Sequence, residues 1–333
     1  IGSYFGKAKF TYIEGVLSDE GYPLNNINLT QGLDVVDEYL GLGFGVISGN
    51  GTMSVSTNVQ TDVAFTVRGN LKQEGSVLGN ANIGGLIGQA EVNEIIIDNE
   101  VDSEVKITIP NNISSGSNLN VGSFIGSLTG SFKADAFNSL NTFEVIEEST
   151  SFNVRELNYG FIGLLTGHGS VTVKEQENSD QVMRSQDKVT VINASKNSDV
   201  NIGGLIGKVS VNTNNETNAV SANVISIESY VNMSTYTLRN NKRFVFGGVI
   251  GNSGSALLSI KKSGFGGQVK VEEADDDTEV TVGGVIGSLG NLGGESIITN
   301  GVSFGDVLVG YKNDSLNSTA RSTTARHMRK RSA

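Results

Sequence analysis

The chain has 333 residues, 43 of them glycine and only 2 proline, with a formal net charge of −11. High glycine without proline excludes collagen-like and proline-rich disordered chains, and the acidic balance argues against nucleic-acid binding as the main task. Cysteine is absent, which excludes a disulfide framework, a thiolate metal site and a cysteine nucleophile.

The hydrophobic 37% consists mostly of Val, Ile and Leu, with no Trp, a mixture that favours strands over helices. No apolar run approaches the roughly 18 residues of a membrane span. The chain opens "IGSYFG" without an initiator Met or a visible signal peptide, so it is read as a processed or trimmed piece. Residues 1–42 are expected to form an N-terminal cap or flanking segment over the open first coil, because uncapped strand edges invite further pairing. Their helix-like patch is "LDVVDEYL" (33–40).

From residue 43 a phrase recurs. A degenerate copy, "GFGVIS" (43–48), precedes six good ones: "NIGGLIG" (82–88), "NVGSFIG" (120–126), "NYGFIG" (158–163), "NIGGLIG" (201–207), "VFGGVIG" (245–251) and "TVGGVIG" (281–287). The closing glycines Gly88, Gly126, Gly163, Gly207, Gly251 and Gly287 are spaced 38, 37, 44, 44 and 36 residues apart. Before each stands an isoleucine: Ile87, Ile125, Ile162, Ile206, Ile250 and Ile286. Between copies run short alternating stretches, "VKITI" (105–109), "SVTVKE" (170–175), "KVTVIN" (188–193), "NVISIE" (223–228) and "QVKVEE" (268–273). Their period is that of half-buried strands.

Short strands repeated every 36–44 residues predict an all-β fold, a right-handed parallel β-solenoid (β-helix) of about six or seven coils over 43–310. One repeat alone cannot bury its apolar face, whereas stacked coils can. At about 4.8 Å per coil, seven coils would stand roughly 34 Å tall. The six isoleucines are expected to form a ladder in the core and the closing glycines to allow close backbone approach. An apolar residue (Leu86, Phe124, Phe161, Leu205, Val249 or Val285) precedes each isoleucine. Strand neighbours point to opposite faces, so one member of each pair is expected to form an outward apolar stripe, a candidate assembly surface.

The phrase G-[GS]-[LFV]-I-G, with "SGFGGQVKV" (263–271) and "SFGDVLV" (303–309), resembles the GLUG-motif repeats over roughly residues 43–310. That resemblance implies a secreted or surface-attached, adhesin-like protein. The expected function is non-catalytic, structural or adhesive, extracellular or at the cell surface, with self-assembly into a filament or layer. Its partners would be other copies of itself or surface ligands and glycans, with no nucleic acid and no membrane span.

The glycines of "GLGFG" (41–45) lack the following helix that a phosphate-binding loop needs, and no G-K-[ST] occurs. His168 in "TGHGS" (166–170) is similar to the Gly-His-Gly of β-helical pectin hydrolases, which makes a polysaccharide-active enzyme the alternative. Inverting hydrolysis needs two flanking carboxylates, and no Asp pair precedes His168 on an adjacent coil. A turn histidine is therefore the simpler reading.

The loop "EEADDDTE" (272–279) offers Asp275, Asp276 and Asp277 to Ca²⁺, a hard cation that prefers oxygen ligands. A Ca²⁺-dependent binding module is thus a further alternative, although the spacing matches no EF-hand and a solvated acidic loop is the simpler reading. No other cofactor is implied. Among the Asn-x-Ser/Thr sequons, Asn112, Asn215 and Asn313 are glycosylation candidates in predicted loops. Residues 311–333 switch to Ser, Thr and Arg and carry His327 in "RHMRKR"; they read as a disordered basic tail.

Overall fold

A computed structural model of the chain describes residues 5–9, 12–15, 29–32, 37–41, 44–49, 52–55, 59–68, 80–110, 118–146, 155–167, 169–173, 184–185, 187–192, 199–210, 224–239, 243–254, 256–274, 279–290, 297–299, 302–303 and 306–311. Within these the protein is all-β, with no helix. The described residues of the alternating runs named above fall in strands: Ile87–Pro110, Ser170–Val173, Lys188–Ile192, Val224–Arg239 and Leu257–Ala274. Val and Ile are the commonest residues in these segments, and branched side chains pack well on a pleated surface.

The strands pair in parallel, each with its counterpart one repeat away. In the second half of the phrase the register runs Phe5, Phe44, Ile87, Ile125, Ile162, Ile206, Ile250, Ile286. The first half aligns Leu40, Ile83, Val121, Tyr159, Ile202, Phe246 and Val282. A third column holds Ile13, Met53, Ile95, Phe132, Val171, Ile227, Ile260 and Ile298. A fourth holds Leu29, Phe65, Ile107, Phe143, Val189, Tyr236, Val269 and Val307. Like therefore stacks on like, and the buried members of these columns join in one apolar cluster. Where aromatic residues meet, the rings are used: Phe124 stacks on Phe161 with centroids 5.0 Å apart, and Phe143 on Tyr159 at 4.8 Å.

Two expectations are corrected. Residues of the helix-like patch form a strand, Asp37–Gly41, paired with Asn80–Gly84. Helix propensity is a weak prior, and here a parallel neighbour supplies the backbone partners instead. The strands Phe5–Lys9, Tyr12–Gly15 and Leu29–Gly32 likewise join the ladders of the following repeat, so parallel pairing extends back before residue 43.

The second correction concerns the outward stripe. Leu86, Phe124, Phe161, Leu205 and Val249 are buried, and so are the isoleucines beside them from Ile87 to Ile250. The alternation rule assumes a continuous strand. In the copies at 82–88, 201–207, 245–251 and 281–287, the residue before the isoleucine lies in a bend between two strands. Both members of the pair can then turn inward. Hydrogen bonding between repeats continues through the bend: Leu86 N–H donates to Phe124 O at 3.0 Å, and Leu205 N–H to Val249 O at 3.0 Å.

Glycine makes the bend possible by close approach. A Cβ on Gly207 would lie 2.6 Å from the backbone N of Tyr159 and 2.7 Å from Gly163 O. Each closing glycine from Gly126 to Gly287 meets backbone of the preceding repeat in this way. Gly167 differs: its φ is +79°, and the nearest atom to an added Cβ is Thr129 Cγ2 at 3.5 Å. Gly207→Ala is therefore expected to destabilise the fold by about 3 kcal/mol or more, since rigid backbone must move. Gly167→Ala should cost only the left-handed backbone penalty of about 1–2 kcal/mol. Urea unfolding of the two variants beside the parent chain checks that order.

Candidate functional site: polar ladders along the repeats

In the five copies from 82–88 to 245–251 the first half of the phrase is buried on both faces. Its apolar face looks into the core, and the residue that opens the phrase lies on the other face. In four copies that residue is asparagine, Asn82, Asn120, Asn158 and Asn201, and all four are buried. A buried amide without partners would be costly. Stacking supplies the partners. Asn120 Nδ2 donates to Asn82 Oδ1 at 2.7 Å, Asn158 Nδ2 to Asn120 Oδ1 at 2.8 Å, and Asn201 Nδ2 to Asn158 Oδ1 at 2.9 Å.

The row is closed at one end by Gln89, seven places past Asn82, and at the other by Asn252, seven places past Val245. Val245 follows Asn201 in the column and cannot continue it, but Asn252 Nδ2 donates to Asn201 Oδ1 at 3.0 Å. The N–H of Gly254 in turn donates to Asn252 Oδ1 at 2.8 Å. At the other end Asn82 Nδ2 donates to Gln89 Oε1 at 2.8 Å, and Gln89 Nε2 to Glu91 Oε1 at 2.7 Å. Every bond in this row points the same way, from Gly254 towards the Glu91 carboxylate. Aligned donors and acceptors polarise one another, which strengthens each bond.

A charged pair braces the middle of the row. Glu156 Oε1 accepts from Asn158 Nδ2 at 2.6 Å, while Lys208 Nζ meets Glu156 Oε2 at 2.5 Å. The outer face adds a lighter connection, Arg243 to Asp199 at 3.1 Å and to Glu279 at 3.7 Å. These groups are roughly half or more exposed, and exposed pairs contribute little.

A second buried polar seam runs beside the fourth column. Asn141 Oδ1 accepts the Val105 N–H at 2.8 Å, and Asp187 Oδ1 accepts both the backbone N–H and Nδ2 of Asn141 at 3.0 Å. Lys188 N–H returns to Asn141 O at 2.8 Å. Three successive repeats are thus tied together just before the register partners Lys106, Thr142 and Lys188.

The isoleucines Ile87, Ile125, Ile162, Ile206, Ile250 and Ile286 are brought together as register partners, with the closing glycines beside them. Asp275, Asp276 and Asp277, the sequon residues Asn112, Asn215 and Asn313, and both histidines, His168 and His327, lie outside the described residues. Among the described residues no group of three or more His, Asp or Glu is placed to hold a metal ion, and no helix is long and apolar enough to cross a membrane. The sequence reading missed the asparagines, although they open four phrases. Their repetition was visible, but burial and contact between repeats had to be seen in three dimensions. No protein-family model, curated protein or solved structure matches the chain.

Chemically, the arrangement holds repeats in register. A closed row of amides has no free nucleophile, and its acceptors are engaged. Asn158→Ala would orphan Asn120 Oδ1 and an Asn201 N–H, each costing about 1–3 kcal/mol when buried. The expected loss is about 2–4 kcal/mol in denaturant unfolding, against less than about 1 kcal/mol for Arg243→Ala on the exposed pair. Equal losses for the two variants would contradict a special role for the buried row.

Proposed function

We propose that this chain is a non-catalytic scaffold, a right-handed parallel β-solenoid of the repeats that begin near residue 43. On this reading it works outside the cell or at the cell surface and displays the loops between its strands to surface ligands and glycans. The observation that carries the reading is the register of the phrase: its isoleucines, glycines and asparagines are spent on contacts between repeats. Six copies of a ligand-binding loop would point their distinctive residues at solvent. Here those residues are buried in the five copies from 82–88 to 245–251.

The outward positions fit a displayed, hydrated surface. Thr129, Thr166 and Ser210 are register partners beyond the phrase, and Thr129 and Thr166 share a hydrogen bond between hydroxyls at 2.5 Å. Lys106 and Glu144 approach to 4.0 Å on another strand pair. The likeness to GLUG-motif repeats supports the surface location.

A solenoid is modular, because each repeat touches only its neighbours. Deleting residues 164–207, which rejoins two copies of the phrase at equivalent positions, should leave a folded rod shortened by about 4.8 Å. Small-angle X-ray scattering measures that change in maximum dimension at constant cross-section. A compact particle of unaltered shape, or release of reducing ends from polysaccharides by the parent chain, would overturn the scaffold reading.

A further inference from the structure

The charged pair within the amide row brings an amine, a carboxylate and a carboxamide together. Glu156 Oε2 holds Lys208 Nζ at 2.5 Å, and Glu156 Oε1 holds Asn158 Nδ2 at 2.6 Å. An ionised carboxylate can only accept hydrogen bonds, so the nitrogen of the Asn158 amide, not its oxygen, faces Glu156. The amine and the amide are therefore held side by side on the two oxygens of one group. Asn158 Oδ1 is turned the other way, where Asn201 Nδ2 donates to it at 2.9 Å.

The meeting is particular to these two repeats. In the other five full copies the column of Lys208 holds Gln89, Ser127, Leu164, Asn252 and Ser288, none of which carries a nucleophilic amine. The column of Glu156 continues to Asp199, which pairs with Arg243, and a guanidinium stays charged and does not attack. The site is also sheltered. Asn158 is fully buried, and the side chains of Glu156 and Lys208 are only 14% and 24% exposed.

We propose that Lys208 and Asn158 join through a spontaneous isopeptide bond between Nζ and Cγ, with Glu156 carrying the protons. Lys208 passes one proton along its hydrogen bond to Glu156, and the freed amine attacks Cγ of Asn158. Negative charge gathers on Oδ1, where the Asn201 amide already donates. Glu156, bonded to Nδ2, hands a proton to that nitrogen as the Cγ–Nδ2 bond breaks, and ammonia leaves. Of the three protons that Nζ starts with, one stays in the new amide, one completes the ammonia and the third ends on Glu156. Nothing is oxidised or reduced.

Attack of an amine on an amide is slow in free solution. Here fixed juxtaposition replaces the encounter, and burial of Asn158 keeps water from competing for Cγ. The bond ties the repeats at 158–163 and 201–207 covalently, across the interface that the amide row already spans. It forms once in each chain and turns over no substrate. It therefore stands beside the non-catalytic scaffold reading and does not depend on it.

Intact-mass spectrometry of the 333-residue chain, incubated at neutral pH beside Lys208→Arg and Glu156→Gln variants, tests this. Arginine keeps the charge without the nucleophile, and glutamine keeps a hydrogen-bonding group that cannot carry the proton. The parent should fall short of its calculated mass by one ammonia, and protease digestion should release a branched peptide joining Asn158 to Lys208. Both variants should keep their full mass, with far-ultraviolet circular dichroism like the parent's. A parent that keeps its full mass and yields no branched peptide overturns the proposal. So does ammonia loss that persists in Lys208→Arg, which belongs to an asparagine cyclising elsewhere, and so does a branch mapped to Asn201 in place of Asn158. Should Glu156→Gln lose its β signal, the parent's branched peptide still decides the bond. Glu156→Asp then decides the proton carrier: its shorter reach should slow bond formation more than about tenfold, and an unslowed rate overturns that role.

Discussion

The structure depends on backbone meeting backbone where the closing glycine of one repeat rests on the repeat before it. At Gly126 an added Cβ would stand 2.6 Å from both Gly88 O and Ile83 N. No side chain larger than hydrogen fits between them. This contact allows the phrase to fold back at its bend while hydrogen bonds to the next repeat continue through it. The remaining order follows. The same glycine contact recurring from repeat to repeat sets a fixed register, and a fixed register places chemically equivalent residues over one another.

Register then decides the fate of each side chain. Isoleucine over isoleucine fills the core, each contributing about 1.5–3 kcal/mol on full burial. Asparagine over asparagine turns a buried liability into a hydrogen-bonded row, and the row tolerates Val245 because Asn252 reaches across from the second half of its phrase. A slip of one residue in a parallel ladder would exchange the two faces of a strand. It would put Asn158 among the aromatic rings and Tyr159 against the amides. The polar row thus resists errors that the apolar columns, being interchangeable, would accept.

Much of this was legible in the sequence because the phrase is a strong, local signal. Its period located the repeats, and the alternating runs between copies located strands. Two features escaped for stated physical reasons. The Leu86–Ile87 pair and its counterparts seemed to face opposite ways, since alternation was applied across a bend that only the fold reveals. The patch at 33–40 looked helical because its spacing suits either period, and its partner strand lies some forty residues away. The asparagines lay in plain view, but a repeated polar residue at the start of a phrase reads equally as a turn. Their contacts join residues 38 to 51 positions apart, a distance at which sequence pattern carries no information on pairing.

Absence of native cysteine permits a direct test of the stacking. Nitroxide labels on Thr129→Cys and Thr166→Cys occupy register partners of adjacent repeats, on the outer surface beyond the phrase. Continuous-wave electron paramagnetic resonance of the double-labelled chain should show strong dipolar broadening, corresponding to neighbouring parallel strands about 4.8 Å apart. Labels at Thr129→Cys and Ser210→Cys, two repeats apart in the same column, should broaden less but measurably. A spectrum of the first pair identical to the sum of its single-labelled controls would contradict in-register stacking, and with it the account of the glycines, the isoleucines and the amide row.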